Sequence, residues 1–228
     1  MNRFEGKTVV VTGGNKGIGF AIATRFANEG ANVVIASVEP EVEAAAEQLR
    51  NAGGKAIGLI CNVTDKGAVV AMYNAAEEAF GPVDVSVQNA GVITIAKIED
   101  LTEREWDLNM DVNTKGAFLC CQEAIRRMRK TGNGGKLINM ASGQARDGFI
   151  YTPHYAASKF GVMGMTQSLA KEIAMDGITA NAICPGIIRT DMWAYNDKVW
   201  GEMLGDFKPG ELMDSWVQNI PMKRAGEG

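Results

Sequence analysis

Six short apolar runs, each followed by a helical stretch, constrain the fold more than any other feature of this chain. The first, Lys-Thr-Val-Val-Val-Thr at residues 7–12, is a β-branched run bounded by glycine, which is typical of a strand buried on both faces of a parallel sheet. The others are residues 32–37, 55–61, 83–88, 136–140 and 178–184. Because strand–helix–strand crossovers are right-handed, this alternation predicts one α/β domain over residues 1–228, with a doubly wound parallel sheet between layers of helices.

The predicted helices occupy the segments between these runs. They cover the pattern Phe20–Ala27, then residues 40–52, 66–80, 102–129 and 153–175. Asn113 lies inside the long helix that starts at the Thr102 capping box. Asparagine is a poor helix former, and a single one in mid-helix is more often tolerated than functional.

A glycine-rich turn follows the first run. It reads Thr12-Gly13-Gly14-Asn15-Lys16-Gly17-Ile18-Gly19. Glycines turn the chain tightly, let a pyrophosphate approach bare backbone and let the helix pack close to the strand. The helix N-terminus then offers free N–H groups to the anion. Strand, turn and helix in this order predict a dinucleotide site, the alternative being a simple tight turn.

The end of the second strand normally decides between NAD and NADP. An acid there binds the adenosine ribose hydroxyls and repels a 2′-phosphate, but this chain has Ser37. Lys16 could pair with the phosphate, whereas Glu39 would oppose it. The missing acid favours NADP slightly, although Lys16 could also be simply solvated.

Composition excludes several classes of function. The 228 residues carry 27 acids, 23 bases and a net charge of −4, without a dense basic run, which argues against a nucleic-acid surface. No segment approaches the ~20 apolar residues of a membrane span, and the N-terminus is too short and polar for a signal peptide. We therefore expect a cytoplasmic protein. The four cysteines are interpreted as buried apolar residues, and no metal site is expected.

Tyr155 and Lys159 are four residues apart, so both lie on one face of the predicted helix. Taken alone, such a pair is usually a solvated helix face. Their context is different, because Gly13, Asn89 and Ser142 all follow predicted strands. Carboxyl ends of parallel strands meet at one edge of the sheet, where ligands bind in open α/β folds.

With these residues assembled, the chain resembles the short-chain dehydrogenase/reductase family, whose fold is the Rossmann fold, from residue 4 to residue 228. The motifs that carry the resemblance are Thr12-Gly-x-x-x-Gly-Ile-Gly19, Asn89-Ala-Gly91, Asn113 in Val112-Asn-Thr-Lys-Gly116, Ser142 and Tyr155-x-x-x-Lys159. Ser142 precedes Tyr155 by the thirteen residues usual in the family. The resemblance implies hydride transfer between a nicotinamide cofactor and a secondary alcohol or ketone.

The resemblance also assigns roles to individual residues. Tyr155 would be the acid/base, Lys159 would lower the pKa of its phenol, Ser142 would hold the substrate oxygen, and Asn113 would hold a relay water. The implied cofactor-binding residues are Gly13, Asn15, Lys16, Gly17, Ile18, Gly19, Ser37, Asn62, Val63, Asn89, Ala90, Gly91, Tyr155, Lys159, Pro185, Gly186, Ile188 and Thr190. The implied substrate residues are Ser142, Gln144, Tyr155 and Trp193.

The chain departs from the family pattern in three places. Asn62 replaces the usual acid before Val63, and Gln88 replaces the first asparagine of the usual doublet. The sequence ends at Gly228, where the family normally continues into a last helix, a seventh strand and a tail. We expect either a longer natural protein, which we favour, or a loss of that strand that exposes apolar edge surface on the sixth strand.

Residues 190–215 are the least regular part of the sequence and are predicted to form a substrate lid of loop and short helices. Trp193 could be a lid core residue or a pocket wall. The run Pro185–Trp193 is similar to that of the polyol and acetoin/2,3-butanediol subgroup, which implies a small polyol or vicinal diol and its hydroxyketone as substrate. The alternatives are a 3-oxoacyl carrier-protein reductase, which would need a basic docking patch, and a non-catalytic dinucleotide sensor. The resemblance also implies a homodimer or homotetramer.

Overall fold

The computed structural model describes residues 2–205 and 207–228. Its strands are β1 (Thr8–Thr12), β2 (Asn32–Ser37), β3 (Lys55–Ile60), β4 (Val83–Gln88), β5 (Gly135–Met140) and β6 (Ile178–Ile183). They form one parallel sheet in the order β3-β2-β1-β4-β5-β6. The chain therefore winds outward from β1 in one direction and from β4 in the other, and the predicted doubly wound sheet is confirmed.

Helices cover both faces of this sheet. They are α1 (Gly17–Asn28), α2 (Val42–Asn51), α3 (Lys66–Phe80), α4 (Glu103–Asn109), α5 (Gly116–Thr131), α6 (Pro153–Glu172), α7 (Asp191–Leu204) and α8 (Glu211–Val217). Residues of β1 alternate between two apolar clusters: Val9 and Val11 pack on one face, Val10 on the other. Among the described residues, no helix is long and apolar enough to cross a membrane.

The prediction of a single long helix over residues 102–129 is wrong in the middle of that range. A π-helical segment, Met110–Lys115, separates α4 from α5 and contains Asn113. The reason is tertiary: the Asn113 amide donates to the carbonyl of Val92 (2.9 Å) and accepts from its N–H (2.8 Å). A π turn widens the helix locally and is often found at functional sites.

Strand β6 is an edge of the sheet within the described residues. Thr179 and Asn181 point polar side chains outward, while Ile183 is 45% exposed. Gly226 pairs elsewhere, forming a parallel bridge with Ile188. The exposed apolar surface expected on the sixth strand is therefore confined mainly to Ile183.

The predicted lid segment is more regular than expected. Thr190 caps α7 by accepting a hydrogen bond from the N–H of Trp193 (3.4 Å). Helix α8 is attached to α7 through the buried Asp197, whose carboxylate accepts from the N–H groups of Gly210 (2.5 Å) and Met213 (2.8 Å). We call α7 and α8 together the C-terminal helical pair.

Replacing Asp197 with alanine is expected to release α8 from α7. Two charge-assisted hydrogen bonds would be lost, each worth about 1.5–3 kcal/mol. Native-state hydrogen exchange at Gly210 and Met213 should become at least about tenfold faster. Glu202→Ala, at an exposed acid of α7, is the matched control. Unchanged exchange at both amides in Asp197→Ala would show that this carboxylate does not hold the pair together.

Candidate active site

A cavity of about 1040 Å³ lies along the carboxyl edge of the sheet. It is lined from the turns after all six strands and from the C-terminal helical pair. Its size is at the upper end of ordinary ligand pockets, about 300–1,000 Å³. All the cofactor residues expected from the sequence line it: Gly13, Asn15, Lys16, Gly17, Ile18, Gly19, Ser37, Asn62, Val63, Asn89, Ala90, Gly91, Tyr155, Lys159, Pro185, Gly186, Ile188 and Thr190.

The glycine-rich turn is packed against the end of β4. Gly13 has φ +61°, and a Cβ on Gly19 would lie 2.1 Å from the carbonyl oxygen of Gly13. The Asn89 amide donates to the carbonyls of Thr12 (3.1 Å) and Gly13 (3.0 Å). Asn89 therefore holds the turn in place as well as lining the cavity, a role that the sequence did not reveal.

Helix α1 begins at Gly17 with its N-terminus towards the cavity. Within the described chain no side chain caps it, so its first-turn N–H groups are available to an anion. A Cβ on Gly17 would lie 3.3 Å from the Thr190 side chain, and one on Gly19 would clash with the Gly13 carbonyl, so the turn and the helix pack closely here. These features fit the pyrophosphate of a dinucleotide.

The ribose end of the cavity contains an ion pair. Lys16 Nζ lies 2.6 Å from Glu39 Oε1, and Asn15 donates to Glu39 Oε2 (2.7 Å). This contact with Lys16 lowers the pKa of Glu39. Ser37 accepts from the N–H of Glu39 (3.2 Å). Lys16 is thus engaged by the carboxylate expected to oppose a 2′-phosphate.

Asn62 forms a local turn on the opposite wall. Its Oδ1 accepts from the N–H (3.1 Å) and the hydroxyl (3.0 Å) of Thr64. This leaves Nδ2 as the group that can donate to an adenine edge. Together with the glycine-rich turn and the start of α1, the residues present fit a nicotinamide dinucleotide.

Tyr155 is at the start of α6 and only 8% exposed. Ser142, at the end of β5, lines the same part of the cavity. Burial raises the pKa of the Tyr155 phenol, and the Ser142 hydroxyl partly opposes this. From the sequence we expected Lys159 to lower this pKa. The net shift is in the opposite direction, because desolvation outweighs the hydrogen bond with Ser142.

Lys159 lies one turn further along α6 and is 4% exposed. Its Nζ donates to the carbonyl oxygen of Met140 (2.9 Å) and lies 5.7 Å from the centre of the Tyr155 ring. Burial lowers the pKa of Lys159 to about 8. The ammonium therefore remains mostly charged at neutral pH and loses its proton in mildly alkaline solution.

Asn113 is buried and does not line the cavity. Besides Val92, its amide binds the Ser158 hydroxyl (2.9 Å), so it joins the loop after β4 to α6. A Cβ on Gly91 would lie 3.2 Å from Asn113 Oδ1 and 3.4 Å from Lys159 Nζ. Asn113 and Lys159 thus approach one another across Gly91, and the relay water expected at Asn113 remains a prediction.

The substrate end of the cavity has an aromatic wall. Gln144 and Trp193, expected from the sequence, line it, and Gln144 is fixed by accepting from the Thr152 hydroxyl (2.8 Å). Sequence reasoning missed other lining residues: Ile93, Leu108, Asp147, Phe149, Asn196, Trp200, Trp216 and Asn219. Three tryptophans between residues 193 and 216 indicate an aromatic cluster in the sequence, but no motif spacing relates them to Phe149.

Because the Lys159 ammonium is buried, the free energy of unfolding of the unmutated protein should depend on pH differently from that of Lys159→Met. In the unfolded chain a lysine binds its proton up to about pH 10.4, whereas here it releases it near pH 8. Between these values the unfolded state binds more protons, so stability rises with pH. The free energy of unfolding should rise by about 3 kcal/mol relative to Lys159→Met from pH 7.5 to 10.5.

Denaturant titrations at a series of pH values measure this difference. Lys171→Met, at an exposed lysine of the same helix, controls for the removal of a positive charge. A difference that stays level, or falls as the pH rises, would contradict the charge state assigned to Lys159.

Comparison with known proteins agrees with this geometry. The model of the short chain dehydrogenase family matches residues 7–199. A 3beta-hydroxysteroid dehydrogenase of Mediterraneibacter gnavus is 40% identical over 187 residues, covering 81% of this chain and 67% of its own length. A D-threitol dehydrogenase of Mycolicibacterium smegmatis is 38% identical over 205 residues, covering 90% of this chain and 77% of its own length.

A solved structure extends the agreement to the whole fold. Actinorhodin polyketide ketoreductase with NADPH has a TM-score of 0.93 and 32% identity, covering 97% of this chain and 85% of its own. The family match spans the glycine-rich turn, Ser142, Tyr155 and Lys159. The chain belongs to the short-chain dehydrogenase family and is an NAD(P)-dependent oxidoreductase of alcohols and ketones.

Proposed function

We propose that the protein interconverts a small polyol or vicinal diol and the corresponding hydroxyketone. The observation that carries this proposal is that Ser142, Tyr155 and Lys159 line the same cavity as the glycine-rich turn and the aromatic wall. A reacting oxygen at Tyr155 would be within reach of an acid/base and a hydroxyl donor.

Each side chain then has a role that follows from its environment. The nicotinamide supplies or accepts the hydride. Ser142 holds the substrate oxygen towards Tyr155, whose phenol donates a proton to it in reduction and removes one in oxidation. Burial keeps this phenol protonated at neutral pH, so the proton that reduction requires is present. The Lys159 cation favours the phenolate that oxidation requires.

The wall of the substrate end supports a substrate with both apolar and hydroxyl-bearing faces. Trp193, Trp216 and Phe149 provide flat apolar surface, and their ring centres lie 5.0–6.1 Å apart in edge contacts. Gln144, Asn196 and Asn219 add amide groups to the same cavity. D-threitol, named for one relative, is a substrate of this kind.

A carrier-protein reductase is less well supported. Docking of an acidic carrier protein would need a basic patch, and the cluster that the sequence offers, Arg126, Arg127, Arg129 and Lys130, lies at the end of α5. Arg127 binds Glu77 and Glu123, and Arg129 binds Asp176. Because α5 runs antiparallel to the strands, this cluster is at the amino edge of the sheet, away from the cavity. These ion pairs therefore favour a structural role for the arginines over the docking of a partner at the active site.

Assembly and location are also part of the proposal. Trp106 and Phe118, on α4 and α5, are large and partly exposed. A second copy of the chain packing on this surface would cover them, which supports the expected homodimer or homotetramer. We place the protein in the cytoplasm, as the composition favours.

Assays with a panel of polyols, diols, hydroxyketones and β-ketoacyl thioesters test the reaction. We expect absorbance changes at 340 nm with diols or acetoin-like ketones, and a loss of at least about 10³-fold in kcat for Tyr155→Phe because its proton donor is gone. Tyr151→Phe, four residues earlier, is the matched control. Tight nucleotide binding with no turnover of any alcohol or ketone would favour the sensor reading, and preference for thioesters the reductase.

A second experiment tests the cofactor preference. Glu39→Gln removes the charge opposing a 2′-phosphate and releases Lys16, so the ratio of kcat/KM for NADP to that for NAD should rise about tenfold. Lys16→Gln should lower the same ratio. We propose a slight preference for NADP in the unmutated protein, because no acid ends β2. A ratio unchanged in both variants would mean that this ion pair does not select the cofactor.

A further inference from the structure

Asn196 is a buried amide in the wall of the substrate end. It lies on α7, is 4% exposed and lines the cavity. Its Oδ1 is enclosed, yet it accepts no hydrogen bond from the residues that the structure describes. An unpaired buried acceptor costs roughly 1–3 kcal/mol, so one that persists calls for a physical reason.

The Asn196 amide is flanked by aromatic side chains of the same helix. Trp193 and Trp200 are three residues before and four after it, so all three share one face of α7. The two rings pack with centroids 6.2 Å apart, and the indole of Trp200 donates to the carbonyl of Ile150 (3.2 Å). The neighbouring Asp197 uses both carboxylate oxygens on α8. Asn196 is therefore a polar group set into an aromatic wall.

Two other buried polar atoms lack partners among the described residues, and they differ in position. His154 Nδ1 and Asn109 Oδ1 belong to a cluster around the Thr94 hydroxyl, which contacts His154 Nε2 (2.7 Å) and accepts from Asn109 (3.0 Å). Neither of these residues lines the cavity. Of the three residues with an unpaired buried atom, only Asn196 lines the cavity.

We propose that Asn196 binds a hydroxyl group of the substrate other than the one that reacts. That hydroxyl donates a hydrogen bond to Oδ1, and the amide N–H₂ can donate one to the hydroxyl oxygen. Ketone carbonyls, thioesters and hydrocarbon lack the donor that Oδ1 requires. Tyr155 packs in the same apolar cluster as Trp200, so the reacting oxygen and Asn196 belong to one compartment. This inference rests on the proposed function and names the residue that selects diols.

A matched pair of substrates tests the assignment. Butane-2,3-diol and butan-2-ol differ by one hydroxyl, so the ratio of their kcat/KM values isolates its recognition. Asn196→Leu should lower this diol preference about tenfold, while activity on butan-2-ol is retained. Asn196→Asp keeps acceptor oxygens in place and should retain most of the preference. Asn133→Leu, the same change at an exposed asparagine that does not line the cavity, should alter the ratio less than about twofold.

Unfolding measurements separate binding from a structural role. Because Asn196→Leu removes an unpaired polar group from an aromatic wall, its free energy of unfolding should equal or exceed that of the unmutated protein. A clear loss of stability would indicate that the amide serves the fold. A tenfold rise in the Kd for NAD or NADP would assign it to the cofactor.

Different results would refute the proposed polyol function and the proposed role of Asn196. If the unmutated protein turned over both substrates equally well, or no diol at all, the polyol function would be wrong. If it preferred the diol and Asn196→Leu kept that preference, the function would stand and the role of Asn196 would be refuted.

Discussion

The arrangement of the site depends on the hydrogen bonds that join the ends of β1 and β4. The Thr12 hydroxyl accepts from the N–H groups of Asn89 and Ala90, both at 3.1 Å, and the Asn89 amide returns two bonds to the backbone of Thr12 and Gly13. These central strands are where the winding of the sheet reverses. Ligand crevices in open α/β folds form at this point. Fixing this junction fixes the glycine-rich turn on one side and the loop leading to Asn113 on the other.

Burial determines the chemistry of the catalytic pair. Tyr155 and Lys159 are both withdrawn from water, and desolvation shifts each towards its neutral form. The phenol therefore stays protonated at neutral pH, and the ammonium loses its proton at a lower pH than a lysine in water. The hydrogen bond from Lys159 to Met140 fixes the ammonium while the Tyr155 ring packs among apolar groups.

Sequence alone predicted what local patterns encode. The β-branched runs, the glycine-rich turn and the Tyr155–Lys159 spacing gave the sheet, the dinucleotide crevice and the catalytic helix. What it missed depends on contacts between distant segments. Asn113 breaks its helix because Val92 binds it, and Asn89 braces a turn 76 residues earlier. The aromatic wall combines Phe149 with residues of the C-terminal helical pair, and no periodicity within one element could bring these together.

The π-helical segment changes the phase of the helix that contains it. Each π turn inserts about one extra residue, which rotates everything downstream by about 100° relative to a continuous α-helix. The side of α4 that buries Asn109 is consequently out of phase with the side of α5 that buries Cys120, Cys121 and Ala124. One continuous segment thereby serves two differently oriented surfaces: the first turns face α6 near the reaction centre, and the later turns face the sheet and α3. The π-helical segment therefore rotates the surface of α4 near the reaction centre relative to the surface of α5 that packs in the core.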